Sequence, residues 1–240
     1  SFSATGSRDN RDLDGAVPRD LSADFVAMHP GSTLWLVNPS SQAATVTVAV
    51  MGSTTQSTIV IPARNRISTT LAAISRLTSS QPLAAIEVME APGKLGMSVP
   101  EPSQGRSSIT FPDAVLGGGY STSLTLANLR STDQDVVVSF LGVSKSVVVS
   151  GNGARVINLG DLFTIPSGAQ PDAVRVTTSA SATAPALLVG AVDISNPLNL
   201  VSLSSRPEST EFAFPQIAHG VDGLFTGLCL VTGSSDTTIT

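Results

Sequence analysis

Cysteine is nearly absent from this sequence: Cys229 stands alone among 240 residues. An intrachain disulfide is thereby excluded, and one lone thiol cannot build a zinc site. A core without staples fits the cytosol and equally fits many bacterial secreted proteins. Charge is scarce at 13%, and the net −5 is spread along the chain with no basic stripe, which argues against a nucleic-acid partner. Aromatic side chains are few, with one Trp, Trp35, and one Tyr, Tyr120, so the chain lacks an extended aromatic platform for sugar rings. No apolar run approaches the roughly 18 residues of a membrane span. Ser1–Asp24 is polar and lacks the apolar stretch of a secretory leader. The chain is therefore expected to begin after a cleavage site or to be a fragment.

What the sequence has in quantity is β-branched and small polar residues, beside an ordinary hydrophobic fraction of 41%. That mixture favours strands over helices and excludes disorder throughout. It also repeats. Ser32–Gly52, STLWLVNPSSQAATVTVAVMG, returns without a gap as Thr122–Gly142, TSLTLANLRSTDQDVVVSFLG. Asn38 and Asn128 mark the same place in the two copies, 90 positions apart. A shorter echo follows at Thr226–Thr240, TGLCLVTGSSDTTIT, and the lead-ins Ile109–Gly119 and Ala213–Gly223 match as well. The chain reads as a polar arm over 1–24, one module over 25–108, a second over 109–211, and the opening strands of an incomplete third over 212–240.

Period-2 alternation predicts half-buried strands at Thr33–Asn38 and Thr45–Val50, with Leu34, Leu36, Val46, Val48 and Val50 inward. Asn38-Pro39-Ser40-Ser41 between them is turn chemistry. Further strands are expected at Thr58–Ile61, Ile67–Leu71, Ile74–Thr78, Ala84–Glu90 and Gly96–Val99. Pro62, Pro82 and Pro92 are read as falling between strands. The second module predicts strands at Thr122–Asn128, Asp135–Leu141, Ser146–Val149, Arg155–Leu159, Ala173–Thr178, Ala186–Val192 and Leu198–Leu203, with a helical turn at Asp161–Phe163. The Gly117–Gly119 run is a loop whose backbone needs freedom. Short strands at this spacing argue for antiparallel β-sandwiches. A third copy as short as 212–240 cannot close a core, so either another chain covers this face or, as the simpler expectation, the natural polypeptide continues beyond Thr240.

The repeated pattern F-P-x-x-A-x-G-x-G…T-x-L-x-L-x-N-P-x-S…V-x-V resembles the repeat module of large secreted bacterial proteins with immunoglobulin-like β-sandwich domains. Here it is carried by Phe111, Pro112, Gly117, Leu124, Leu126, Asn128 and Val136, and in the third copy by Phe214, Pro215, Ala218, Gly220, Leu228 and Leu230. That copy departs from the pattern at Thr232-Gly233, where Asn-Pro is expected. The resemblance implies an all-β fold of tandem modules, a secreted or cell-surface location, and a structural or interaction role without enzymatic activity. It implies no defined ligand.

Candidate sites are sparse. Asn10, Asp12 and Asp14, ending in Gly15, resemble the first half of a calcium loop. The twelfth position is Leu21 instead of an acid, and Asp20 falls one residue early; the competing reading is a solvated acidic linker. Trp35 alternates with Leu34 and Leu36, so it is expected on the outer face. There it either anchors a partner or a sugar ring, or packs against a neighbouring strand, loop or module. Cys229 occupies the equivalent position in the third copy. The only histidines, His29 and His219, fall in comparable lead-in loops of different modules. They are therefore expected to lie far apart. Neither G-x-S-x-G nor H-E-x-x-H occurs. Together these features predict a spacer, stalk or filament subunit that meets copies of itself or further modules of its own chain. The alternative is an adhesin or a carbohydrate-binding accessory module.

Overall fold

The computed structural model describes residues 4–8, 12–16, 21–92, 94–164, 167–178, 187–205, 219–221 and 224–225. These form antiparallel β-structure, with one short helix as the exception among them. Within the polar arm, β1 (Ala4–Arg8) pairs with β2 (Asp12–Ala16) as a hairpin.

An N-terminal unit follows. It contains β3 (Ser22–Ala27), β4 (Thr33–Asn38), β5 (Ala44–Val50), β6 (Gln56–Ile61), β7 (Asn65–Thr70), β8 (Ser75–Ala91), β9 (Lys94–Ser98) and β10 (Glu101–Pro102). The 17-residue β8 serves two ladders. Its first part pairs with β3 and with β5, which carries β6, while its second part pairs with β4 and β9. The two predicted strands Ile74–Thr78 and Ala84–Glu90 are thus one strand, and Pro82 lies inside it. The reason is visible in the register. Pairing with β5 ends at Ser79 and pairing with β4 begins at Ala84. Pro82 sits where the partners change, so its missing N–H breaks no ladder bond to either strand.

The C-terminal unit contains β11 (Ser108–Leu116), β12 (Ser121–Asn128), β13 (Gln134–Phe140), β14 (Val143–Val149), β15 (Ala154–Asn158), the helical turn α1 (Leu159–Leu162), β16 (Gln170–Thr178), β17 (Leu188–Ser195) and β18 (Leu200–Ser204). Its two four-stranded sheets have the orders β11-β16-β13-β14 and β15-β12-β17-β18. The N-terminal unit has the matching orders β3-β8-β5-β6 and β7-β4-β8-β9. The duplicated sequence is therefore a duplicated topology, in which β16 and β17 divide between them what β8 does alone. A short β19 (His219–Val221) and β20 (Leu224–Phe225) pair further on.

In each unit the two ladders close on one core. Phe25, Val46, Val48 and Leu77 from one side meet Leu34, Leu36 and Ala85 from the other. In the C-terminal unit Phe111, Val136, Val138, Phe140 and Val176 meet Leu124, Leu126, Ile157 and Val192. Each of these Val, Leu, Ile and Phe side chains taken from water contributes roughly 1.5–3 kcal/mol before chain entropy is subtracted. The expected inward positions Leu34, Leu36, Val46 and Val48 are buried, and Val50 is only partly so.

The repeated asparagine explains itself here. Asn38 donates from Nδ2 to the carbonyls of Gln42, Ile61 and Pro62, and its Oδ1 accepts from the Ser40 N–H. Asn128 donates to the carbonyls of Thr132, Val149 and Ser150 and accepts from the Arg130 N–H. Both are 0% exposed. Each satisfies backbone groups at a corner where one strand leaves its sheet, as buried polar groups require. The glycine run behaves as expected, with φ of +77° at Gly117, +61° at Gly118 and +88° at Gly119, a region costly to residues with a Cβ.

Candidate functional site: a histidine between the two units

The end of the N-terminal unit sits on the outer face of the sheet holding β12 and β17. Val26, Met28 and Ile74 share one apolar cluster with Ala127, Leu129, Val189 and Ala191, and Met51, Ala154 and Leu187 pack against it. Outer-face positions of β12, which the alternation alone would turn to solvent, are consequently buried: Thr125 is 2% exposed and Ala127 is 0% exposed. Elsewhere along the junction Ser205 donates from its backbone N–H and its hydroxyl to the Glu101 carboxylate, at 2.7 and 2.6 Å. The Lys94 ammonium donates to the Ser195 hydroxyl at 2.9 Å. The Gly52 N–H donates to the Asn152 carbonyl at 2.6 Å. At Gly96 a Cβ would lie 3.0 Å from Leu200, so β9 and β18 approach as closely as they do because that side chain is missing.

His29 lies at the centre of this junction, in the turn after β3. Its Nδ1 is 2.9 Å from Oε2 of Glu87, on β8 of its own unit. Its Nε2 is 3.0 Å from Oδ1 of Asp193 and 3.1 Å from the Ser202 hydroxyl, on β17 and β18 of the other unit. Asp193 and Ser202 stand directly opposite each other in the ladder, which is why both reach one ring nitrogen. Glu87 is 1% exposed. It also accepts from the backbone N–H groups of Met28 at 3.2 Å and His29 at 3.0 Å. The pairing of Leu34 with Glu87 puts that carboxylate on the inward face, where the turn folds back over it and fills its lone pairs.

Burial by itself lowers the His29 pKa. Hydrogen bonds to Asp193 and Glu87, with their negative charges, outweigh that effect and push the value from 6.5 up to about 10. At neutral pH the ring is thus an imidazolium with both N–H groups donated to carboxylates. A serine, a histidine and carboxylates stand together here, but a doubly protonated ring has no lone pair with which to accept the Ser202 proton. The arrangement can bridge two negative charges; it does not present a general base at neutral pH. Beside it an open cleft of about 360 Å³ is lined by Ser121, Thr122, Ser123, Val156, Asn158, Asp161, Asp193 and Ser195. Asp193, with its side chain 20% exposed, connects the histidine to this cleft.

Trp35 lies on the outer face of β4, half-buried, opposite Ser68 and Ile86. The Arg66 guanidinium sits 5.6 Å from its ring centroid, a cation–π contact that covers part of the ring. Asp12 and Asp14 are strand positions of β2 paired with Arg8 and Gly6, while Asn10 and Asp20 lie outside the described residues. Cys229 is outside them as well, and His219 is placed only as a strand position paired with Phe225. Among the described residues no group of three or more His, Cys, Asp or Glu side chains is placed to hold a metal ion, and no helix is long and apolar enough to cross a membrane. The site that sequence reasoning missed is the His29 junction. Its sequence signal was Glu87, an acid among the apolar run Ala84–Met89, which had no stated partner. No protein-family model matches the chain, and no curated protein matches its sequence.

Proposed function

We propose that this chain is a non-enzymatic structural repeat protein: tandem immunoglobulin-like β-sandwich modules of a secreted or surface-exposed bacterial protein, serving as spacer, stalk or filament subunit. The observation that carries the reading is the duplicated topology joined by a buried, hydrogen-bonded junction. Two units with the same strand order, the same asparagine corner and a shared apolar contact are what holding modules in a fixed row requires. A site for turnover would instead need a base free to activate a nucleophile, whereas His29 is committed to two carboxylates. The partners of this reading are copies of the chain or further modules of the same polypeptide. Electron microscopy of the purified chain tests it, with the expected result being rods of constant shape or their ordered polymers. Glycan or host-protein binding that disappears in Trp35→Ala, with the rods absent, would overturn it in favour of an adhesin or carbohydrate-binding module.

A further inference from the structure

We propose that His29, Glu87 and Asp193 form a proton-dependent clasp that sets whether the two units are held rigidly together. The geometry carries this in three steps. First, among the described residues the imidazole is the one group bonded to carboxylates of both units, Glu87 on one side and Asp193 on the other. The groups facing it are Glu87 from β8, Asp193 from β17 and the Ser202 hydroxyl from β18. Second, the two carboxylates are not equally dependent on it. Glu87 keeps two backbone N–H donors from Met28 and His29 whatever the ring does, whereas among the described residues no donor other than His29 is seen on the Asp193 side chain. Third, a neutral imidazole has one N–H and one lone pair. On losing its proton the ring retains the hydrogen bond to the more deeply buried Glu87. Its Nε2 lone pair then accepts from Ser202 and repels Asp193. The inter-unit charge pair is lost while each unit keeps its own core.

The route for the proton is the open cleft that Asp193 lines. The clasp is therefore closed at neutral and mildly acid pH and opens as pH climbs through the imidazole's raised pKa of about 10. What remains of the junction then is the small apolar cluster and the hydrogen bonds at its edges, those of Ser205 to Glu101, Lys94 to Ser195 and Gly52 to Asn152, a contact of the kind that permits relative motion of domains.

The test is a spin-label distance measurement on the whole chain with Cys229→Ser, carrying labels at Ser57→Cys and Lys145→Cys, both exposed strand positions in different units. Far-UV circular dichroism and the His29 imidazole resonances are followed alongside over a pH series from neutral to about 11. The expected result is one narrow distance distribution at neutral pH. It should broaden as the His29 resonances titrate, with the β signal unchanged. Asp193→Asn should move that transition down by about one pH unit or more, and His29→Gln should give a broad distribution at every pH. Three outcomes overturn the proposal: a distribution that stays narrow while His29 deprotonates, a His29 that titrates at its ordinary value, or broadening that appears only together with loss of the β signal. Because the wild-type series is decisive by itself, a variant that fails to fold does not rescue the idea.

Discussion

The two units share a topology and differ at the place where each closes its core. Opposite Leu34 the N-terminal unit puts Glu87; opposite Leu124, in the same ladder position, the C-terminal unit puts Val192. Both are buried, at 1% and 0% exposure. Ninety positions after His29 stands Gly119, at φ +88° in a loop with no side chain to offer. One unit thus spends a core position on a charge and supplies its partner from the turn above, and the other fills the position with a methyl-bearing side chain. The difference teaches that the fold tolerates either solution, but only the charged one reaches out to a neighbouring unit. A second contrast runs the other way. Ala44 sits in the N-terminal core where the C-terminal unit has Gln134 at the equivalent strand position. The buried Gln134 amide has neither nitrogen nor oxygen hydrogen-bonded.

The largest expected effects come from breaking the charged solution. Glu87→Ala leaves an imidazolium buried with half its partners and should destabilise the N-terminal unit by about 3–5 kcal/mol. Val192→Ala should cost about 0.5–2.5 kcal/mol, the size of a cavity left by a small apolar side chain. Urea titrations of the two variants compare them directly, and equal losses would mean that Glu87 acts merely as a space-filler. The same histidine sets a pH signature. Its folded pKa lies above the unfolded one, so between them the native state binds more protons. The stabilisation is complete below about 6.5 and is lost as pH rises toward about 10. Unfolding free energies of wild type and His29→Gln, measured along that range, should converge at its alkaline end.

Core truncation comes next. Leu124→Ala and Leu34→Ala occupy matching positions at 0% exposure and should each cost roughly 2–4 kcal/mol. A large disparity in chemical-denaturation midpoints would break the equivalence of the two cores. The asparagine corners should also behave alike: Asn38→Ala and Asn128→Ala each strand buried carbonyls and should cost about 1–3 kcal/mol, by the same measurement. The smallest effect is expected at Gln134→Ala, which adopts the other unit's solution and removes an unpaired buried amide. Its melting temperature should be unchanged or slightly raised, by up to about 1 kcal/mol in stability; a clear loss would show that the amide has a partner such as a bound water.

Much of the fold was legible because its rules are local. Alternation in Thr33–Asn38 and Thr122–Asn128 fixed which side chains turn inward, since a strand's period of two leaves no other choice. The repeat of Asn38 at Asn128 marked a corner that needs one amide to satisfy several carbonyls. Pro82 misled, because a proline signals a break in pairing, and here the partner strand changes while the strand itself continues.

The candidate site was hardly legible at all. His29 and Asp193 are separated by 164 positions, and no periodicity or spacing connects them. By itself the sequence determined strands, facing and repetition, all consequences of backbone geometry and neighbours a few residues away. Tertiary structure alone decided that the end of one unit covers the outer face of the next. That docking buried Thr125 and Ala127 and brought Asp193 to an imidazole already held by Glu87; together the hydrogen bonds and charges of the two carboxylates raise its pKa against the opposing effect of burial, a balance that exists only in the assembled fold.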